Sequence, residues 1–286
     1  MKIGITGQGG FIGSNVAQAL LHEGYEVVSL DKYTRSCASD NRVLNECPDD
    51  LNWVLHFAAS ASIGKSFDNP FYTYANNLES TIVALNIAYR SRAPFLFMSS
   101  YVYGKPKYLP IDEKHPVDFA NPYMGSKIIG EEICRQICSM LLIPLIILRG
   151  FNIYGNCKIP GRLISDLLES AHNEMPIVLN DPLPKRDYLY IKDFQLLILK
   201  IISQNPVKTG TYNVGYGRSY SNIEVAEIVS NLTKGECPII IKSHPRQQDI
   251  SDCTVNVNLV KQTFSWLPIY SLEMGLSELL KLNQQQ

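Results

Sequence analysis

Asn121-Pro-Tyr-Met-Gly-Ser-Lys127 sets a phenol, Tyr123, four residues before an ammonium, Lys127. On a helix that starts at Asn121-Pro122, one turn carries both side chains onto one face. A phenol near pKa 10 is a poor base at neutral pH. A nearby positive charge stabilises the phenolate and brings the group toward the working range. A second chemical feature is the run Phe95-Leu-Phe-Met-Ser99-Ser100, an apolar strand pattern that ends in hydroxyls. Ligands of open parallel sheets gather at the carboxyl ends of strands. Ser99 then falls on the same edge as Tyr123, and Ser99, Tyr123 and Lys127 form a proton-handling set for an alcohol or a ketone.

A partner for that set is written at the N-terminus. Thr6-Gly-Gln-Gly-Gly-Phe-Ile-Gly13 separates a short β-rich run from an amphipathic helical pattern. Gly7 permits the tight turn, Gly10 lets the backbone approach a pyrophosphate, and Gly13 lets the helix pack close to the sheet. The free N–H groups and dipole of the helix start then face the phosphates. The second strand ends at Asp31, where a carboxylate accepts from adenosine ribose hydroxyls and repels a 2′-phosphate. NAD is favoured over NADP, with Lys32 and Arg35 opposing that preference by their charge. A bound nicotinamide adds a second positive charge beside Tyr123.

These residues need a scaffold. Lys2–Thr6, Glu26–Leu30, Trp53–Phe57, Phe95–Ser99 and Pro144–Arg149 are continuous apolar runs, as in strands buried on both faces of a parallel sheet. Helical periodicity lies between them, at Ile12–Leu20, Leu78–Tyr89 and Ile129–Ile137. The alternation predicts an α/β fold, a Rossmann-type doubly wound parallel sheet. Later helical patterns run over Leu163–Ala171, Phe194–Ile202 and Leu272–Leu280, and Ser221-Asn-Ile-Glu224 reads as a capping box.

Composition sets outer bounds. The chain has 286 residues, 45% hydrophobic and 19% charged, enough for a large core and too little charge for disorder. A net charge of −1 argues against nucleic acid or an anionic membrane as the main partner. No run reaches about 18 apolar residues, so no membrane span is expected. The seven Cys are odd in number and form no CxxC, and the start lacks a signal-peptide pattern. Reduced thiols in a cytoplasmic protein, with no metal site, are the expectation.

The motifs in order carry a family resemblance across nearly the whole chain. They are TGxxGFIG at 6–13, His56-Phe-Ala-Ala59, Asn77, SSYVYG at 99–104, NPYMGSK at 121–127 and Leu148-Arg-Gly-Phe-Asn-Ile-Tyr-Gly155. Arg186-Asp-Tyr-Leu-Tyr-Ile-Lys-Asp193, Tyr212-Asn-Val-Gly215 and Arg246-Gln-Gln-Asp249 complete the set. The chain resembles the extended short-chain dehydrogenase/reductases, in the nucleotide-sugar epimerase/dehydratase group. That resemblance implies a catalytic triad of Ser99, Tyr123 and Lys127. It implies NAD contacts from Gly7, Gly9, Gly10, Phe11, Ile12, Gly13, Asp31, Lys32, Phe57, Ala58, Ala59, Asn77, Tyr123 and Lys127. It implies a nucleotide-diphosphate sugar held by Ser99, Ser100, Tyr123, Asn152, Arg186 and Arg246, with arginine forks on the phosphates. It implies a dinucleotide-binding domain of residues 1–155 plus 186–210, a substrate domain of 156–185 plus 211–286, and a homodimer built on the helices around 78–90 and the catalytic helix.

Two departures narrow the reaction. The family's dehydratases carry Asp-Glu just after the catalytic hydroxyl residue, where this chain has Ser100-Tyr101. The stretch from Asp31 to Trp53 is short and lacks the Gly-Asp-Ile/Leu segment that contacts adenine. In similar epimerases the position of Cys253 gates the sugar pocket, and the resemblance implies that a small residue there leaves room for an N-acetyl group. The expected activity is an NAD-dependent epimerase at sugar C4 through a transient 4-keto sugar. The alternatives are an NAD(P)H-dependent 4-keto-6-deoxysugar reductase and a non-catalytic NAD-binding scaffold.

Overall fold

The computed structural model describes residues 1–34, 46–157, 161–242 and 250–283. Arg35, Arg246, Asp249 and the terminal glutamines lie outside the described residues. The first half runs β1 (Lys2–Thr6), α1 (Phe11–His22), β2 (Glu26–Ser29), α2 (Asp31–Thr34), β3 (Trp53–His56), α3 (Ile63–Asp68), α4 (Pro70–Ser91), β4 (Phe95–Met98) and α5 (Pro122–Leu141). The second half runs β5 (Leu145–Gly150), β6 (Asn152–Tyr154), α6 (Leu163–His172), β7 (Ile177–Leu179), β8 (Lys185–Tyr190), α7 (Ile191–Ile202), β9 (Gly210–Val214), β10 (Ser219–Ser221), α8 (Asn222–Leu232), β11 (Ile239–Ile241), α9 (Asn258–Phe264) and α10 (Leu272–Asn283).

Six strands form one parallel sheet in the order β2-β1-β3-β4-β5-β9. The strands read as unbroken apolar runs because both faces are covered. Val54, Phe95, Phe97, Leu145 and Ile147 face α4 and α5 with Val83, Ile87 and Cys134. Leu55, Leu96, Met98, Ile146 and Leu148 face α1 and α7 with Val16, Leu20, Phe194 and Leu197. The parallel order, with helices on both faces, is the doubly wound arrangement expected from the alternation. Among the described residues β2 and β9 are the two outer strands.

The substrate side is built from smaller pieces. β8 lies between β10 and β6 in a three-stranded sheet, and β11 pairs with β7. The capping box at Ser221 and Glu224 is formed in both directions. One boundary differs from the sequence expectation. β9 continues the six-stranded sheet beside β5 from Gly210 through Val214, so the sheet extends beyond residue 210. The glycine and the Tyr-Asn-Val that follow it hid a buried strand behind a turn signal.

Candidate active site

Catalytic-helix geometry follows from its first three residues. Asn121 caps α5, its Oδ1 accepting from the Met124 N–H at 2.9 Å, and Pro122 occupies the first turn. Tyr123 and Lys127 then stand one turn apart on the face toward β4. The Lys127 Nζ donates to the Met98 carbonyl at 2.8 Å and lies 4.8 Å from the centre of the Phe97 ring. Burial pushes the ammonium down to about 8, with Cys134 and Glu131 opposing.

The hydroxyl that acts on Tyr123 is that of Ser100, which works to lower the phenol. Ser99 is not brought to the phenol. Its N–H still donates to the Leu148 carbonyl at 2.8 Å, so it continues the alternation of Phe95 and Phe97 and points beneath the helix. There the Ser99 Oγ, on a residue only 3% exposed, donates to Glu131 Oε1 at 2.6 Å. Ser100 is the first residue free of the ladder and turns up to the helix. The signal was present in the period-two sequence Phe95, Phe97, Ser99.

The Tyr123 phenol is also not lowered by its protein surroundings. Burial raises it above its ordinary value, against the opposing effects of Ser100 and the Arg162 guanidinium. Arg162, missed in the sequence, precedes α6 and adds a cation near the phenol.

The glycine loop has the shape its residues imply. Gly7 has φ +72°, and a Cβ there would come 2.6 Å from the Ala58 nitrogen. A Cβ on Gly13 would come 2.1 Å from the Gly7 carbonyl oxygen. A Cβ on Gly9 would meet no protein atom within 4 Å. No side chain caps α1, which leaves its first N–H groups to a ligand. Asp31 does more than end a strand. Its carboxylate accepts from the Gly7 N–H and, at 3.3 Å, from the Gly9 N–H. The Gln8 Oε1 is a buried acceptor with no donor among the described residues. An open gap over Gly9, free helix N–H groups and an unmet acceptor fit a dinucleotide that presents phosphates and hydroxyls.

Other expected residues divide. Phe11 and Ile12 open α1 and are part-exposed, as are Phe57, Ala58 and Ala59 at the end of β3. The Ala58 N–H is held by Thr6 Oγ1 at 3.1 Å. Lys32 is exposed, with its ammonium 4.5 Å from the Tyr33 ring centre. Asn77 is buried and fully engaged: its Oδ1 accepts from Ser60 N at 2.7 Å and its Nδ2 donates to Ser126 Oγ at 2.9 Å. It ties the β3 loop to α5.

On the substrate side, Asn152 Nδ2 donates to the Asp187 carbonyl at 3.1 Å, and Arg186 Nη1 donates to the Ile250 carbonyl at 2.6 Å. Tyr101 and Cys253 lie close enough to Arg186 for their charges to interact. The Tyr101 hydroxyl donates to the Gly104 carbonyl at 2.6 Å. Burial raises that phenol far above its ordinary value, so the position after Ser100 holds no base. No group of three or more metal-ligating side chains occurs among the described residues, and no helix there is long and apolar enough to cross a membrane.

A six-stranded doubly wound sheet with a Gly-rich phosphate loop and a Tyr–Lys helix defines a nicotinamide-dependent enzyme. Residues 3–215 match the model of the NAD dependent epimerase/dehydratase family, and the chain belongs to that family. A putative UDP-glucose 4-epimerase of Methanocaldococcus jannaschii is 27% identical, the match covering 96% of each chain. The UDP-glucose 4-epimerase of Bacillus subtilis is 28% identical over 98% of this chain and 94% of its own. Among solved structures, the Bifidobacterium longum UDP-glucose 4-epimerase in complex with NAD+ and UDP has a TM-score of 0.85 at 25% identity. That match covers 100% of this chain and 99% of the other. The cofactor is NAD, and the protein is an extended short-chain dehydrogenase/reductase of the nucleotide-sugar epimerase group.

Proposed function

We propose that this protein inverts C4 of a nucleotide-diphosphate sugar, with UDP-glucose and UDP-galactose as the pair to test, through a transient 4-keto sugar. The observation that carries the reading is the capped start of α5, which sets Tyr123 and Lys127 one turn apart and brings the Lys127 ammonium to the Met98 carbonyl at the end of β4, beside Ser99 and Ser100. Ser100 holds the sugar 4-oxygen, and Tyr123 removes its proton. Lys127, one turn along α5, is the family's partner for the phenol, and Arg162 adds a second positive charge that works to lower it. NAD, held by the Gly7–Gly13 loop and Asp31, would supply the hydride acceptor for C4 and the hydride donor for its opposite face. Tyr123 then gives the proton back to the 4-oxygen. Asn152, Arg186 and Arg246 hold the diphosphate and leave the sugar free to turn over. Carboxylate-assisted dehydration is disfavoured because Ser100 faces Tyr123 and the Tyr101 hydroxyl is committed to Gly104.

The dinucleotide-binding unit comprises residues 1–155 and the α7–β9 segment, with the remaining residues forming the substrate unit. We further propose a homodimer through α4 and α5. Phe67 near the end of α3 and Phe71 and Tyr72 at the start of α4 are exposed, Phe71 by 86%, and a second copy packed on the same helices would cover them. The six described cysteines are free thiols, in keeping with a reducing cytoplasm.

The deciding experiment is mass spectrometry of small molecules released from the purified protein, together with UDP-galactose turnover without added cofactor. Released NAD+ and turnover unaided support the epimerase. A protein that carries no NAD+ and needs added NADPH would be a reductase. Sedimentation at micromolar concentration tests the dimer, and a clean monomer removes it.

A further inference from the structure

Beneath the Ser100–Tyr123 pair lies a buried carboxylate that no reading of the motif included. Glu131 follows Lys127 by one helical turn on α5, and its side chain is 1% exposed. Its Oε1 accepts from Ser99 Oγ at 2.6 Å and from Arg149 Nε at 2.9 Å. Its Oε2 accepts from Arg149 Nη2 at 2.6 Å and from Arg135 Nη2 at 2.7 Å. Arg149 ends β5 and donates through Nη1 to the Tyr103 hydroxyl at 3.1 Å. Tyr103 in turn donates to Asn213 Oδ1 on β9 at 2.5 Å. The ends of three neighbouring strands therefore converge on one carboxylate and its arginine.

Stability is a weak reason for such an arrangement. A buried ion pair gives up so much hydration that apolar residues of the same shape often serve as well. A bidentate arginine–carboxylate pair does fix one geometry. Here the fixed part is the Ser99–Ser100 peptide. Ser99 is held against Glu131, and by the strand alternation Ser100 falls on the opposite side, where it acts on Tyr123. A misplacement of about 1 Å at a reacting group costs on the order of 100-fold in rate.

We propose that Glu131 is a positioning residue for proton transfer: through Ser99 it clamps the end of β4 to the turn of α5 below Lys127 and so aims the Ser100 hydroxyl at Tyr123. This rests on the reading of Ser100 and Tyr123 as the proton-handling pair. Glu131 touches neither substrate nor cofactor.

The test is a double-mutant cycle on the full chain with its bound NAD, using UDP-galactose as substrate. Ser99→Ala carries it, because it removes the clamp and leaves the Glu131–Arg149 pair intact. The expected result is a kcat lowered about tenfold, with KM and retained NAD unchanged. In a Ser100→Ala background the same Ser99→Ala change should lower kcat less than twofold, since nothing is left to aim. An equal loss in both backgrounds would overturn the proposal, as would wild-type kcat in Ser99→Ala. If Ser99→Ala is as inactive as Tyr123→Phe while Ser100→Ala turns over normally, Ser99 itself meets the substrate and the clamp is refuted. Full turnover in both Ser100→Ala and Tyr123→Phe would instead remove the proton pair, and the clamp with it.

Discussion

Two alanines in the glycine loop separate ligand space from protein space. At Gly9 an added Cβ meets no protein atom within 4 Å, and the backbone there is not left-handed. Gly9→Ala should therefore fold at no steric cost and gain about 0.4–1 kcal/mol from a stiffer unfolded chain. If phosphates lie over the loop, the methyl occupies their gap. Loss of one charge-assisted hydrogen bond costs about 1.5–3 kcal/mol, which is roughly 10- to 150-fold in NAD affinity. At Gly13 the added Cβ would sit 2.1 Å from the Gly7 oxygen. That is about 1.2 Å inside an ordinary carbon–oxygen contact of about 3.3 Å. Both atoms belong to backbone, so the loop or α1 must move. Gly13→Ala should lose about 1–3 kcal/mol of stability as well as NAD binding. Calorimetric titration of NAD into cofactor-free protein, with thermal unfolding of the same samples, gives both quantities. Wild-type NAD affinity in Gly9→Ala would refute the phosphate loop, and equal destabilisation of the two variants would refute the geometry.

Tyr123→Phe should lower turnover by about 10²–10⁴-fold, the usual contribution of a positioned acid–base group, while NAD stays bound; unchanged kcat removes Tyr123 from the mechanism. Asp31→Ala removes both the ribose acceptor and the anchor of Gly7 and Gly9. NAD should lose roughly 10- to 100-fold in affinity and NADP distinctly less, since the carboxylate no longer repels a 2′-phosphate; equal losses by calorimetry count against the ribose role. Burial raises the Glu131 carboxyl, but Arg149, Ser99 and Arg135 together outweigh it and hold the group below its ordinary value. A lowered carboxyl stabilises the fold above its unfolded pKa of about 4.5, and that stability is lost as pH falls through the lower folded value. Glu131→Gln should cost about 3–5 kcal/mol at neutral pH by leaving Arg149 unpaired. Its deficit against wild type in urea unfolding should shrink toward pH 3, and a deficit constant with pH would show that the charge is not responsible.

Long-period patterns were legible in the sequence, and single-residue orientation was not. The first five strands fall within a residue of their apolar runs, because a strand buried on both faces admits no polar interruption. The helix at Asn121 was legible because cap and proline are local signals. Ser99 and Ser100 are chemically identical, and only the point where the β4 ladder ends tells which one turns up. Asn77 shows the opposite difficulty: its motif position is right, but its amide is spent on Ser60 and Ser126. Glu131 could not be read at all, since its partners Ser99 and Arg149 are brought to it by β4 and β5.

The bonds from Asp31 to Gly7 and Gly9 are made between atoms of the chain itself. The curvature of the loop is thus a product of folding and not of cofactor binding. An arriving dinucleotide finds donors already aimed and loses little affinity to ordering them. Holding and releasing NAD becomes a question of exit path and off-rate, separable from refolding. Protein stripped of NAD under mild conditions should take it back by simple one-site uptake, at a rate that rises linearly with NAD concentration.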